Sequence, residues 1–148
     1  MIMNSVIPIA SDHAGFDLKC KIKDYLKEKG FSVKDMGTYS SDSVDYPDVI
    51  HPVAHLINEG KYPFAFIMCG SGNGVSMVAN KYINVRCALC WNADISALAK
   101  KHNNANIIAM PARFISFEQA KDIIDSFLNS EFEGGRHQKR IDKIKNVI

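Results

Sequence analysis

Apolar positions along the chain follow two alternating rhythms. Short apolar runs of strand length occur at Val6–Ala10, Phe31–Lys34, Phe64–Cys69, Arg86–Trp91 and Asn106–Met110, and the segments between them carry apolar residues at helical spacing. Ala14–Lys29 places Leu18, Ile22, Tyr25 and Leu26 at offsets 0, 4, 7 and 8, with Gly30 as its stop. Pro47–Glu59 opens on a proline suited to a first helical turn, aligns Val49, Val53, Leu56 and Ile57, and ends before Gly60. Asn73–Lys81 and Ala93–His102 are further short helices. Phe117–Asn129 turns Ala120, Ile123, Ile124, Phe127 and Leu128 to one side, and Gln138–Val147 is a last amphipathic helix.

Strands that alternate with helices pair in parallel through right-handed crossovers. The expected architecture is a Rossmann-like, doubly wound three-layer α/β sandwich with a five-stranded parallel sheet and a C-terminal helix, one domain over residues 1–148. Pro8 fits this poorly, because a proline removes a ladder donor, and an edge position or local irregularity is expected there.

Composition narrows the class. An apolar content of 47% excludes disorder, and no apolar run reaches the roughly 18 residues of a membrane span. The opening residues lack the basic and long apolar regions of an export signal, so a cytoplasmic setting is expected. Four cysteines are too few for a disulfide scaffold and are expected as thiols. Cys87 and Cys90 form a C-x-x-C without a second pair, which favours plain core cysteines. His51 and His55 are four apart on a helix, but without H-E-x-x-H they carry no metal motif.

The net charge of +2 hides an asymmetry. Residues 136–148 hold five Lys/Arg and one Asp, leaving 13 basic against 15 acidic residues in the rest. The basic tail contains no aromatic residue for base stacking, so a local anion site fits it better than a nucleic-acid surface. Arg136 and Arg140, four apart on one helical face, can grip a phosphate together.

Parallel sheets bind ligands beyond the carboxyl ends of their strands. After the first strand comes Ser11-Asp12-His13-Ala14-Gly15; after the third comes Cys69-Gly70-Ser71-Gly72-Asn73-Gly74-Val75. Alternate glycines let the backbone turn several N–H groups toward one point, as an anion cradle or simply a tight turn. The spacing matches neither the P-loop nor the dinucleotide fingerprint, and a phosphatase C-x5-R would need arginine at Val75. Cys69 closes the strand before this loop, as a buried inert thiol or as a reactive thiolate. Asp12 can cap the following helix or join His13 in acid–base chemistry.

The segments SDHAG (11–15), DYPD (45–48), CGSGNG (69–74), NKYINVRCALC (80–90), AKKHNNANI (99–107), PAR (111–113) and FEGGRHQKRI (132–141) together resemble the type B ribose-5-phosphate isomerases. That family also holds galactose-6-phosphate isomerase subunits and allose-6-phosphate isomerases. The resemblance implies an aldose–ketose isomerase of the pentose phosphate pathway that needs no metal or cofactor. It also implies a phosphorylated sugar substrate and self-association as a homodimer or dimer of dimers, with no nucleic-acid or membrane partner. It makes Cys69 the base, with Gly70, Ser71, Gly72, Asn73 and Gly74 holding the developing oxyanion. Asp12 and His102 match ring-opening residues, Tyr46 and Asn103 sugar contacts, and His13, Arg113, Arg136 and Arg140 phosphate or substrate contacts. Some members place a glutamate base where this chain has Val75, which leaves the task to Cys69. Asn104 and Pro111 depart from the family pattern without removing a matched catalytic group. A six-carbon sugar phosphate and a non-catalytic phosphosugar-binding module are the alternative readings.

A helix that follows a parallel strand runs back, so Ala93–His102 should end at the sheet edge opposite Cys69. His102 is then expected either to serve a partner subunit's site across a two-fold axis or to stand as a C-terminal helix cation.

Overall fold

The computed structural model describes residues 5–148. Five parallel strands, β1 (Val6–Ser11), β2 (Ser32–Asp35), β3 (Ala65–Cys69), β4 (Cys87–Leu89) and β5 (Ile107–Pro111), form one sheet in the order β2-β1-β3-β5-β4. Six helices accompany them: α1 (Phe16–Glu28), α2 (Tyr46–Asn58), α3 (Asn73–Ala79), α4 (Ala93–Asn103), α5 (Phe117–Leu128) and α6 (Arg136–Ile144).

Strand alternation sorts the core into two layers. Ile7, Ile9, Phe66, Met68, Ile108 and Met110 pack with Ile22 and Leu26 of α1 and Ile123, Ile124 and Phe127 of α5. The opposite face, with Ala10, Ala65, Ile67, Cys69, Ile107 and Ala109, packs against Ile50, Val53, Ala54 and Ile57 of α2 and Val75 and Ala79 of α3. Large side chains fill the first layer, whereas small ones on the second admit α2 and α3 closely. The Cys69 side chain belongs to that tighter layer.

Three expectations change in detail. Pro8 lies within an unbroken strand bonded on both sides, neither at an edge nor at an irregularity. Ile9 and Ser11 direct their backbone polar groups toward the β2 side, whereas Asp12 N–H donates to Met68 O, so alternate residues address β3. Pairing with β3 begins only at Ile9, and the missing Pro8 donor therefore falls just before that ladder starts. The first helix does not begin at Ala14: a 3₁₀ turn, His13–Gly15, precedes α1 because the Asp12 carboxylate accepts the Gly15 N–H. The last helix begins at Arg136 and ends at Ile144, leaving Val147 outside it and exposed.

Candidate active site

The chain reverses its direction of progress across the sheet between β1 and β3, and the segments leaving these strands diverge to form a crevice. Cys69 ends β3, is only 5% exposed, and accepts the Gly72 N–H on Sγ at 3.1 Å. Ser71 is exposed and its Oγ accepts the Asn73 N–H at 3.3 Å. The Gly70 and Ser71 N–H groups have no acceptor among the described residues. The loop therefore places one donor on the sulfur and leaves two neighbouring N–H groups without a protein acceptor.

Its glycines are required by their neighbours. Gly72 has φ +75°, and a Cβ there would overlap Leu89 Cδ1. At Gly74 a Cβ would lie 2.6 Å from the Tyr46 ring, which stands at the start of α2 and leans over the loop. At Gly70 it would meet Arg113 Cδ and Nη1 at 3.2 Å. Arg113 reaches this point because Ala112 N–H and Arg113 N–H donate to Cys69 O and Gly70 O, which holds the chain after β5 against the loop.

Asp12 arrives from β1 and is nearly buried, with its backbone N–H on Met68 O and its carboxylate on Gly15 N–H at 3.1 Å. The capping role is thus filled, and the second carboxylate oxygen remains for other work. His13 Nδ1 accepts the Val44 N–H at 3.2 Å. A nitrogen that accepts carries no hydrogen, so the neutral ring bears its proton on Nε2 as a donor.

The end of β2 and the turn after it, from which the chain runs on to Val44 and Tyr46, are tied down by a fully buried lysine. Lys19 Nζ bonds Asp35 Oδ1 at 2.6 Å and Thr38 O, while Lys23 takes Asp35 Oδ2 at 2.6 Å. Burial alone would raise the Asp35 pKa, but hydrogen bonds from Lys19, Lys23 and Gly37 N–H outweigh it and lower it below the ordinary value. Gly37 O accepts the Ser11 N–H at 2.8 Å and Thr38 N–H donates to Ser11 O at 2.7 Å, joining this network to the residue before Asp12.

The remaining candidates stand elsewhere. Cys69 pairs with Pro111 at one end of the β3–β5 ladder and Ala65 with Ile107 at the other, four steps or about 13 Å away at the usual rise. His102 and Asn103 end α4 beyond that far end, just before Ala105, and Arg136 and Arg140 stand exposed on α6, which packs on α4. One chain therefore gathers Asp12, His13, Tyr46, the 69–74 segment and Arg113 at the carboxyl edge, and His102, Asn103, Arg136 and Arg140 at the amino edge.

Burial pushes the Cys87 and Cys90 thiols up to about 12, the behaviour of core cysteines. His51 Nδ1 lies 2.8 Å from the Tyr82 hydroxyl, a packing role. Sequence spacing did not reveal His137. Its ring stacks on His102 with centroids 4.2 Å apart and planes 11° from parallel, and Glu133 Oε2 lies 3.5 Å from His137 Nε2 and 3.8 Å from His102 Nε2. Two histidines and a carboxylate suggest a metal set, but an ion lies close to the plane of each imidazole that binds it. Nearly parallel planes stacked in this way share no such point, so the grouping suits a stacked pair beside a carboxylate. The FEGGRHQKRI segment contains His137, but only tertiary packing shows what it touches.

The whole is a doubly wound α/β domain with a strand-end cysteine and a glycine loop at one sheet edge and two exposed arginines at the other. The model of the Ribose/Galactose Isomerase family matches residues 7–144, and the chain belongs to that family. It is 38% identical over 141 residues to ribose-5-phosphate isomerase B of Escherichia coli, with 95% of each chain covered. The ribose 5-phosphate isomerase of Thermotoga maritima has 50% identity and a TM-score of 0.94, covering 97% of this chain and 99% of that one. Ribose-5-phosphate isomerase B of Mycoplasma genitalium with bound ribulose 5-phosphate has 43% identity and a TM-score of 0.91, covering 95% and 94%. The protein is an isomerase of α/β, Rossmann-like fold. Among the described residues, no helix is long and apolar enough to cross a membrane.

Proposed function

We propose that the protein interconverts ribose 5-phosphate and ribulose 5-phosphate in the cytoplasm, with Cys69 as base. The Cys69 thiolate removes the proton from C2 of the open-chain aldose, the electron pair forms the enediolate, and the thiol returns the proton to C1. Proton transfer between the two oxygens completes the ketose. Electrons are redistributed within the substrate, so the reaction needs no external oxidant or cofactor. The observation that carries this reading is the Gly72 N–H on Cys69 Sγ at 3.1 Å, beside the unpartnered N–H groups of Gly70 and Ser71. A donor aimed at sulfur supports a thiolate, and neighbouring donors stabilise an enediolate oxygen. Ser71, Asn73 and Gly74 complete that cradle.

The same reading assigns Asp12 and a partner subunit's histidine, equivalent to His102, to ring opening. Tyr46 and the partner's counterpart of Asn103 contact the sugar, while His13, Arg113 and the partner's counterparts of Arg136 and Arg140 hold the phosphate and substrate. Support for a homodimer with shared sites is the separation of the two groups at opposite edges of one sheet. A two-fold axis lets each chain lend its amino edge to the other's crevice.

The deciding assay offers ribose 5-phosphate, allose 6-phosphate and galactose 6-phosphate to the purified chain. Turnover is expected with ribose 5-phosphate and its loss in Cys69→Ala; unaffected turnover in that variant would remove Cys69 as base. Mixing inactive Cys69→Ala and His102→Ala chains under exchange conditions should restore about a quarter of full activity, since random pairing makes half the dimers hybrid with one intact site each. No recovery counts against sharing.

A further inference from the structure

We infer that His137 is a positioning residue that sets the ring plane of His102. The inference rests on the proposed role of His102 in ring opening, in which the family resemblance makes it the proton donor.

His102 stands on the last turn of α4 with its side chain 38% exposed, and its own helix offers nothing to fix the imidazole. His137 supplies that support. It is 7% exposed on the inner side of α6, one turn before buried Ile141, and its ring covers one face of His102 at 4.2 Å. The approach is braced from both sides: Glu133 N–H donates to Lys101 O at 3.0 Å, and His137 N–H donates to Gly134 O at 3.1 Å. A loop on α4 and a helix start are thereby locked together around the stacked pair.

The electrostatics favour the neutral form of His137. Burial comes first, followed by His102 on α4 and Arg136 on α6, with Arg140 beyond Glu133; these hold His137 below its ordinary value, while Glu133 pulls upward. Lys101 adds a further cation on the same last turn of α4 as His102. A charged His137 would meet His102 across the stack and Arg136 on its own helix, so the buried ring is held toward its neutral form. His102 is thus presented in one plane with an exposed edge, as proton delivery to a sugar oxygen requires.

The test is a double-mutant cycle on the whole enzyme, with kcat and KM for ribose 5-phosphate measured across pH. His137→Ala is expected to lower kcat about tenfold with KM within about twofold, and to add no further loss in a His102→Ala background. His137→Phe keeps the stacked volume and guards against a folding defect; it should retain most of kcat, so that rescue by the conservative variant separates stacking from folding. An equal loss from His137→Ala with and without His102 would overturn the inference, as would wild-type kcat and pH profile in both His137 variants. If His102→Ala itself keeps full activity, the proposed donor fails first, which separates that failure from a fault in the positioning role.

Discussion

At the carboxyl edge of the sheet, Cys69 and the 70–74 loop are held by contacts with no spare volume, whereas at the amino edge Arg136 and Arg140 stand on a helix face in solvent. The first edge is built from strand ends, with donors fixed by the backbone. The second is built from helix ends, where long side chains supply charge and the His102–His137 stack, with the Glu133 N–H on Lys101 O, confers rigidity. The contrast suits the proposed roles, since a base and its oxyanion donors must not move during proton transfer, whereas a phosphate clamp can close after the ligand arrives. Rigidity and charge are thus divided between two ends of one chain.

Removing the proposed base should break this division most severely. Cys69→Ala is expected to lower kcat by about 10³-fold with little change in KM, measured by steady-state kinetics. Next in size, Lys19→Met should destabilise the fold by about 3 kcal/mol in urea unfolding, because it leaves Thr38 O and one Asp35 oxygen without their buried partner. Gly72→Ala should cost about 2 kcal/mol and most of the activity, since its φ of +75° and the nearby Leu89 both resist a Cβ. At the amino edge the pattern should reverse. Arg140→Ala should raise KM about tenfold or more while shifting stability by no more than about 0.5 kcal/mol, since it removes an exposed charge. A matching stability loss there would contradict the contrast.

The smallest expected effect is in the pH dependence of stability. With His137 held below its ordinary 6.5, the unfolded chain binds a proton that the folded chain refuses, so stability falls as pH drops below about 6.5. His137→Phe should remove that slope. Asp35, lowered by its lysines, contributes stability that is present above the ordinary carboxylate value of 3.8 and lost as pH falls through its lower folded value. Lys19→Met should move that acid transition upward.

Much of the carboxyl edge was legible before any coordinates. The strand-end places of Asp12 and Cys69 follow from apolar run lengths, and alternate glycines announce a turn that other residues cannot make. Even the distance of His102 from its own Cys69 follows from the rule that a crossover helix runs back. Pro8 misled because its cost depends on where the neighbouring ladder begins, and that register belongs to β3, more than fifty residues away. His137 was hidden for a related reason: its position in a basic helix says nothing about the ring stacked upon it.

The amino-acid order by itself determined the alternation of strands and helices, the cysteine and glycines at a strand end, and the gathering of positive charge in the tail. These are consequences of local periodicity, backbone sterics and charge counting, which act over a few residues. Only the tertiary structure decided that Tyr46 covers Gly74, Arg113 lies on Gly70, Lys19 is buried against Asp35 and His137 stacks on His102. Those contacts join residues far apart in the chain. They are set by how layers pack and loops close, which leaves no periodic trace at either residue.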